Sequence, residues 1–229
     1  MPKAIKKRIA KPAKKEEDVK SIIHGVRESL GERQRFLVPV MIAAVVLLIV
    51  VAGGLIYRSN MNAKAEALEF EGYKAYYGFQ QRQPLQGGER YQKALEDFKK
   101  AYETRKSPYA LFYIANCYDE MGRYDDALKT LKELNERFPD DERFVPLSYY
   151  KMAVITLKKG DKEAALKFLD TLYNYRTSSL KDLALLESAK ILESMGKTEE
   201  AAKKLEELKK NFPTSPFLRT PQAQQPPSQ

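Results

Sequence analysis

From Ala94 onward, apolar and polar positions recur with a short and a long period. The short one is a stripe at i, i+4 and i+7: Ala94, Phe98 and Ala101; Ala127, Leu131 and Leu134; Ala165, Leu169 and Leu172; Ala201, Leu205 and Leu208. Such spacing predicts four amphipathic helices. The long period separates the leading alanines by 33, 38 and 36 residues. Gly122, Gly160 and Gly196 each stand five residues before an alanine, where a tight turn needs a left-handed backbone. A second apolar run precedes each glycine, so each unit reads as a helical hairpin. The clearest unit runs from Pro108 to Pro139, with Leu111, Ile114, Ala115 and Tyr118 before its turn and Tyr124 after it. Pro213 closes the last unit, and Thr177 stands at the corresponding place in the third.

This pattern resembles the tetratricopeptide repeat, a helix–turn–helix of about 34 residues with small residues where the helices cross and a closing proline. The resemblance implies an all-α solenoid of about four hairpins that binds other proteins and seldom does chemistry. Leu111, Tyr149 and Leu185 replace the large aromatic usual on the first helix of such a unit. The first copy is atypical: a helix over 62–80 bears Phe70, Tyr73, Tyr76, Tyr77 and Phe79, and a long loop follows from Gln81 to Arg90. Together they predict a capping hairpin.

Residues 37–57 form a run of 21 without a charge. At about 1.5 Å per residue a helix of that length spans roughly 31 Å, the thickness of a bilayer's hydrocarbon core. A cleaved signal has a shorter apolar core, roughly 7–15 residues, behind a short basic start. Here 36 residues come first, and the run is apolar all round, so an uncleaved transmembrane anchor is expected.

Lysine and arginine set the expected orientation. Residues 1–36 hold eleven basic and five acidic side chains, and supply +6 of the net charge of +9. Basic residues favour the cytoplasmic side, placing the N-terminus inside and the repeats outside. The run from Lys3 to Lys15 has seven basic residues and no acidic one, which suits anionic lipid headgroups. It interleaves no aromatic residue to stack on bases, so no nucleic acid is expected. Val19, Ile22, Ile23, Val26 and Leu30 then share one helical face, a short amphipathic helix within the arm. The expected organisation is a basic arm over 1–36, the anchor over 37–57, repeats over 58–214 and a disordered Pro/Gln-rich tail over 215–229.

Candidate chemistry is sparse. The region after residue 57 has no histidine and one cysteine, Cys117, so it offers no Cys–His pair, no Ser–His triad and no ordinary zinc site. Gly87 and Gly88 lack the preceding strand of a phosphate loop. We expect no enzyme, no cofactor and no metal. A single cysteine and the absence of Asn-x-Ser/Thr fit a bacterial periplasm.

In a tetratricopeptide solenoid the first helix of each hairpin lines the concave side. Projected on this chain, that arrangement gives a protein-binding groove of Tyr109, Phe112, Asn116, Leu147, Tyr150, Val154, Leu157, Leu183 and Leu186, with Asp119 and Glu120 at a mixed-charge edge. Exposed, such an apolar track exceeds what soluble monomers usually carry and marks a binding surface. Burial under a neighbouring hairpin, under the aromatic first helix or in a dimer is the structural alternative.

The whole layout is similar to the ancillary tetratricopeptide subunit of the bacterial Sec translocon, on the register Leu157, Gly160, Ala165, Leu169, Leu185, Gly196 and Ala201. That resemblance implies an inner-membrane, periplasm-facing scaffold or chaperone-like module that meets exported clients, translocon or envelope components. The alternative reading is an envelope-assembly adaptor whose repeats self-associate into a homodimer.

Overall fold

The structure, a computed structural model, describes residues 13–79, 87–177 and 180–219. The start of the basic run, the 80–86 loop and the 220–229 segment lie outside the described residues, as do most side chains of the expected amphipathic arm helix. The chain divides into two compact units, Met1–Ser59 and Asn60–Gln229.

The first helix, α1, runs over Ala13–Tyr77, and the boundary between the units falls within it. Three elements expected separately are therefore one helix. The joining stretches 31–36 and 58–62 contain no proline, so nothing in them removes a backbone N–H or forces a stop. Pro39 is accommodated inside the helix. Between 36 and 57 the large apolar side chains remain exposed, from 50% at Val51 to 77% at Phe36. This stretch is long and apolar enough to cross a membrane.

In the second unit the end of α1 is followed by α2 (Gly87–Thr104), α3 (Pro108–Glu120), α4 (Tyr124–Arg137), α5 (Phe144–Lys158), α6 (Lys162–Asn174), α7 (Lys181–Ser194) and α8 (Thr198–Asn211). From α2 onward each helix packs on the next, and α3 also touches α5, as expected of a solenoid. Ala94, Ala127, Ala165 and Ala201 are buried to within 1% because the helices cross there. Phe98, Leu131, Leu134, Leu169, Leu172 and Leu208 fill the space between hairpins. At the end of α1, Gly72 lies under the Phe98 ring, which an added Cβ would meet at 3.0 Å.

Gly122, Gly160 and Gly196 adopt φ of 72°, 84° and 77°, the left-handed conformation their spacing predicts. Each closes its helix in the same manner. The N–H after the glycine donates to the carbonyl five residues back: Arg123 to Tyr118 (2.8 Å), Asp161 to Thr156 (3.0 Å) and Lys197 to Leu192 (2.9 Å). At the start of α3 the Ser107 hydroxyl accepts from the Ala110 N–H at 3.1 Å, and at α6 Asp161 accepts from Ala164 at 2.9 Å. The third unit, which lacks the closing proline, enters α7 differently, with Leu180 at φ 63°.

Two boundaries differ from expectation. Gly87 to Arg90 belong to the first turns of α2, where unpaired N–H groups make glycine inexpensive. Residues 215–219 are not tail. Ser215 is buried and donates to Asp182 at 2.8 Å, and a short 3-10 helix, Pro216–Arg219, lays Phe217 and Leu218 on the α7–α8 core. Apolar Phe217 and Leu218 cover an end of the solenoid that Pro213 alone leaves open.

Candidate functional site

The residues projected for the groove lie on α3, α5 and α7. Of the nine side chains projected there, Tyr109, Phe112, Leu147, Tyr150, Val154 and Leu183 are half-buried. Leu157 is 39% exposed. Phe112 meets Phe144 at 5.6 Å between ring centroids, joining the α3 and α5 portions of the track.

Two of the nine are not offered to a partner. Leu186 is 2% exposed, packed with Ala189, Ala201 and Leu205 in the core between α7 and α8. The spacing of α7 places Leu185 and Leu186 both inward, so only Leu183 of its projected apolar residues reaches the surface. Asn116 is 7% exposed in the middle of α3.

One of the two residues of the expected charged edge is also internal. The Asp119 side chain is fully buried and takes ion pairs from Lys151 at 2.7 Å and Lys158 at 2.8 Å, both on α5. Burial alone would raise its pKa, but the hydrogen bonds and charge of the two lysines outweigh it and hold the carboxyl below the usual value. Consequently this buried carboxylate is already matched to its cations within the chain. Glu120 stays at the surface, where it accepts a hydrogen bond from the Tyr76 hydroxyl at 3.2 Å.

The aromatic part of the track extends further than the projection gave. Tyr113, one turn beyond Tyr109, lies 4.7 Å from it, and Tyr73 of α1 approaches Tyr113 at 6.0 Å. Tyr77 and Phe79 continue the surface, at 47% and 54% exposure. The i, i+4 pairs Tyr73–Tyr77 and Tyr109–Tyr113 were visible in sequence. That the two pairs face each other depends on how α1 packs beside α3. Burial raises the Tyr109 hydroxyl to about 12 and pushes Tyr113 up as well, so both stay neutral donors at any physiological pH.

Cys117 is buried on the core side of α3, and burial pushes its thiol up to about 12, so it is inert packing. Among the described residues, no group of three or more His, Cys, Asp or Glu side chains is placed to hold a metal ion.

A helical-hairpin solenoid with a partly apolar inner wall defines a class of protein-binding scaffold. Residues 87–148 and 183–215 match models of the tetratricopeptide repeat, and the chain carries repeats of that kind. Such repeats mediate protein–protein interaction and scaffolding, and are typically not enzymes. Among solved structures, a crystal structure of MamA protein is 16% identical, with a TM-score of 0.50 over 66% of this chain and 74% of that one. A MamA RS-1 ArsTM double mutant is 14% identical, with a TM-score of 0.50 over 66% and 77%. The TPR2AB domain of yeast Sti1 in complex with pHSP90 is 20% identical, with a TM-score of 0.44 over 66% and 65%. At these identities the likeness to MamA concerns the fold. No curated protein matches the chain in sequence.

Proposed function

We propose that the chain is a membrane-anchored scaffold or chaperone-like module whose repeats, on the periplasmic side of a bacterial inner membrane, hold an extended apolar segment of another protein. The observation that carries this reading is the track of half-buried Tyr109, Phe112, Leu147, Tyr150, Val154 and Leu183 with exposed Leu157 along α3, α5 and α7. The buried charge of Asp119 is satisfied within the chain, by Lys151 and Lys158. A bound segment would therefore gain mainly from apolar burial, about 25 cal/mol per Å² before ordering costs are subtracted.

Anchoring is supported by the exposed apolar stretch 36–57, and the N-inside orientation by the +6 charge of residues 1–36. In that arrangement the basic arm meets anionic lipid on the cytoplasmic side, and tethering raises the local concentration of the groove near the membrane. The resemblance to the Sec-associated subunit makes exported clients and the translocon the first partners to look for.

In-cell photocrosslinking from position 150 tests the groove. We expect capture of exported or envelope proteins, lost when Phe112→Glu, Tyr150→Glu and Leu157→Glu are combined with a crosslinker moved to position 147, while helicity is unchanged. Capture that survives the triple variant refutes the groove. Sedimentation of the full chain in detergent separates the alternative: a tight dimer that hides position 150 makes the track a self-association surface.

A further inference from the structure

One position on each first helix decides whether the space between successive second helices is filled. Eight residues before the turn glycine, α3 carries Ile114 and α5 carries Met152, and both are buried. Met152 clusters with Leu131 of α4, and Phe168 of α6 packs against the same cluster, so the step from α4 to α6 is closed. The last step is different. Eight residues before Gly196 stands Ser188. On α8, Lys204 holds the place that Phe168 has on α6, three residues after the aligned alanine. Two large apolar side chains thus give way to a small hydroxyl and a cation. Between α6 and α8 there is accordingly a cleft of about 490 Å³, lined in part by Ser188 and Leu192 of α7.

Ser188 is only 6% exposed, yet its hydroxyl has no hydrogen-bond partner among the described residues. The other hydroxyl in the cleft, that of Thr171, donates to the Lys167 carbonyl at 2.8 Å. Leu166 and Leu192 supply aliphatic surface, and Lys167 and Lys204 add their stems. The two lysines are balanced by Asp170 and Glu200, so the lining has no net charge. Lys204 stands 4.0 Å from Glu207 and already lies 5.8 Å from the Tyr173 ring centroid.

An occupant matched to this lining has an apolar body, no charge and a hydroxyl at its tip. The hydroxyl satisfies Ser188, whose burial otherwise leaves a polar group unmatched. An aromatic body gains attraction from lysines beside its face, which an aliphatic one does not. Lys167, Asp170, Thr171 and Glu200 are exposed, so a side chain carried on another protein can enter between them. We propose that the cleft between α6 and α8 is a docking site for a tyrosine of a partner protein, its ring between Leu166 and Leu192 and its phenol hydrogen-bonded to Ser188. This second attachment point uses the second helices and does not depend on the groove reading above.

The test uses the full chain in detergent carrying Thr171→Cys at the edge of the cleft. Cys117 is buried and stays unreacted, which leaves one reactive thiol. The 3-mercaptopropanoyl amides of tyramine, phenethylamine and 3-methylbutylamine are equilibrated with it as disulfides against 2-mercaptoethanol, and occupancy is read by intact mass. The tyramine probe is expected to withstand about fivefold more 2-mercaptoethanol than the phenethylamine probe, the worth of one hydrogen bond. The phenethylamine probe is expected to outlast the 3-methylbutylamine probe by about twofold. Ser188→Ala, which leaves the cleft open, should bring the two aromatic probes level. Ser188→Met, the residue of the preceding repeat, should abolish preference among all three without lowering the melting temperature. Equal retention of the two aromatic probes by the Thr171→Cys chain overturns the proposal. So does a phenol preference that survives Ser188→Ala or Ser188→Met, or an aliphatic probe held better than both rings.

Discussion

Asp119→Asn removes a charge and almost no volume, so its cost isolates the buried ion cluster between α3 and α5. The carboxylate is fully buried, while the side chains of Lys151 and Lys158 remain 20% and 43% exposed. Each charge-assisted hydrogen bond contributes roughly 1.5–3 kcal/mol. The two contributions do not simply add, because each lysine regains water once the carboxylate is gone. We expect a loss of about 2–3 kcal/mol near neutral pH, a drop of about 4–12 °C in melting temperature for a unit of this size.

The dependence on pH carries the sharper test. The folded carboxyl titrates below its usual 3.8, so its stabilisation is fully present above the unfolded value and is lost as pH falls through the folded one. Lys158 behaves oppositely. Burial would lower its pKa, but Asp119 outweighs that and raises it, so its contribution persists below about 10.4 and disappears as pH rises through the folded value. Circular-dichroism melts of both chains in detergent should therefore show a constant gap from about pH 5 to 9 that closes on acidification. Equal melting temperatures at neutral pH, or a gap that survives full protonation of carboxylates, would show that the cluster contributes nothing.

Gly160→Ala and Gly196→Ala should each cost about 1 kcal/mol in thermal melts, since positive φ penalises a side chain although no atom lies within 4 Å of the added Cβ; asparagine should cost less. Gly72→Ala acts differently: it improves helix propensity yet drives a Cβ into the fully buried Phe98 ring, and we expect a net loss of about 1–3 kcal/mol. Cys117 should resist a thiol reagent at about pH 8 and react fully in denaturant, because burial keeps it protonated; rapid labelling of the native chain would contradict its place in the core.

Amino-acid order alone determined the elements whose cause is local. The alanine–leucine stripes, the left-handed conformations of Gly122, Gly160 and Gly196 and the uninterrupted apolar run are consequences of helical period, of what only glycine tolerates and of what breaks a helix. These are properties of a few neighbouring residues, and the hairpins, their turns and the apolar stretch were legible from them. Which apolar residues of a first helix face the groove was decided by packing between helices. Leu183 and Leu186 differ by less than one turn, yet α8 covers one and leaves the other half open. Asp119 read as a surface charge, since its two lysines lie on the next repeat. Tyr73 and Tyr113, 40 positions apart in the chain, meet across a helix interface. Long-range contacts of this kind carry no local periodicity, so only the tertiary structure could place the rings, the neutralised carboxylate and the buried Leu186.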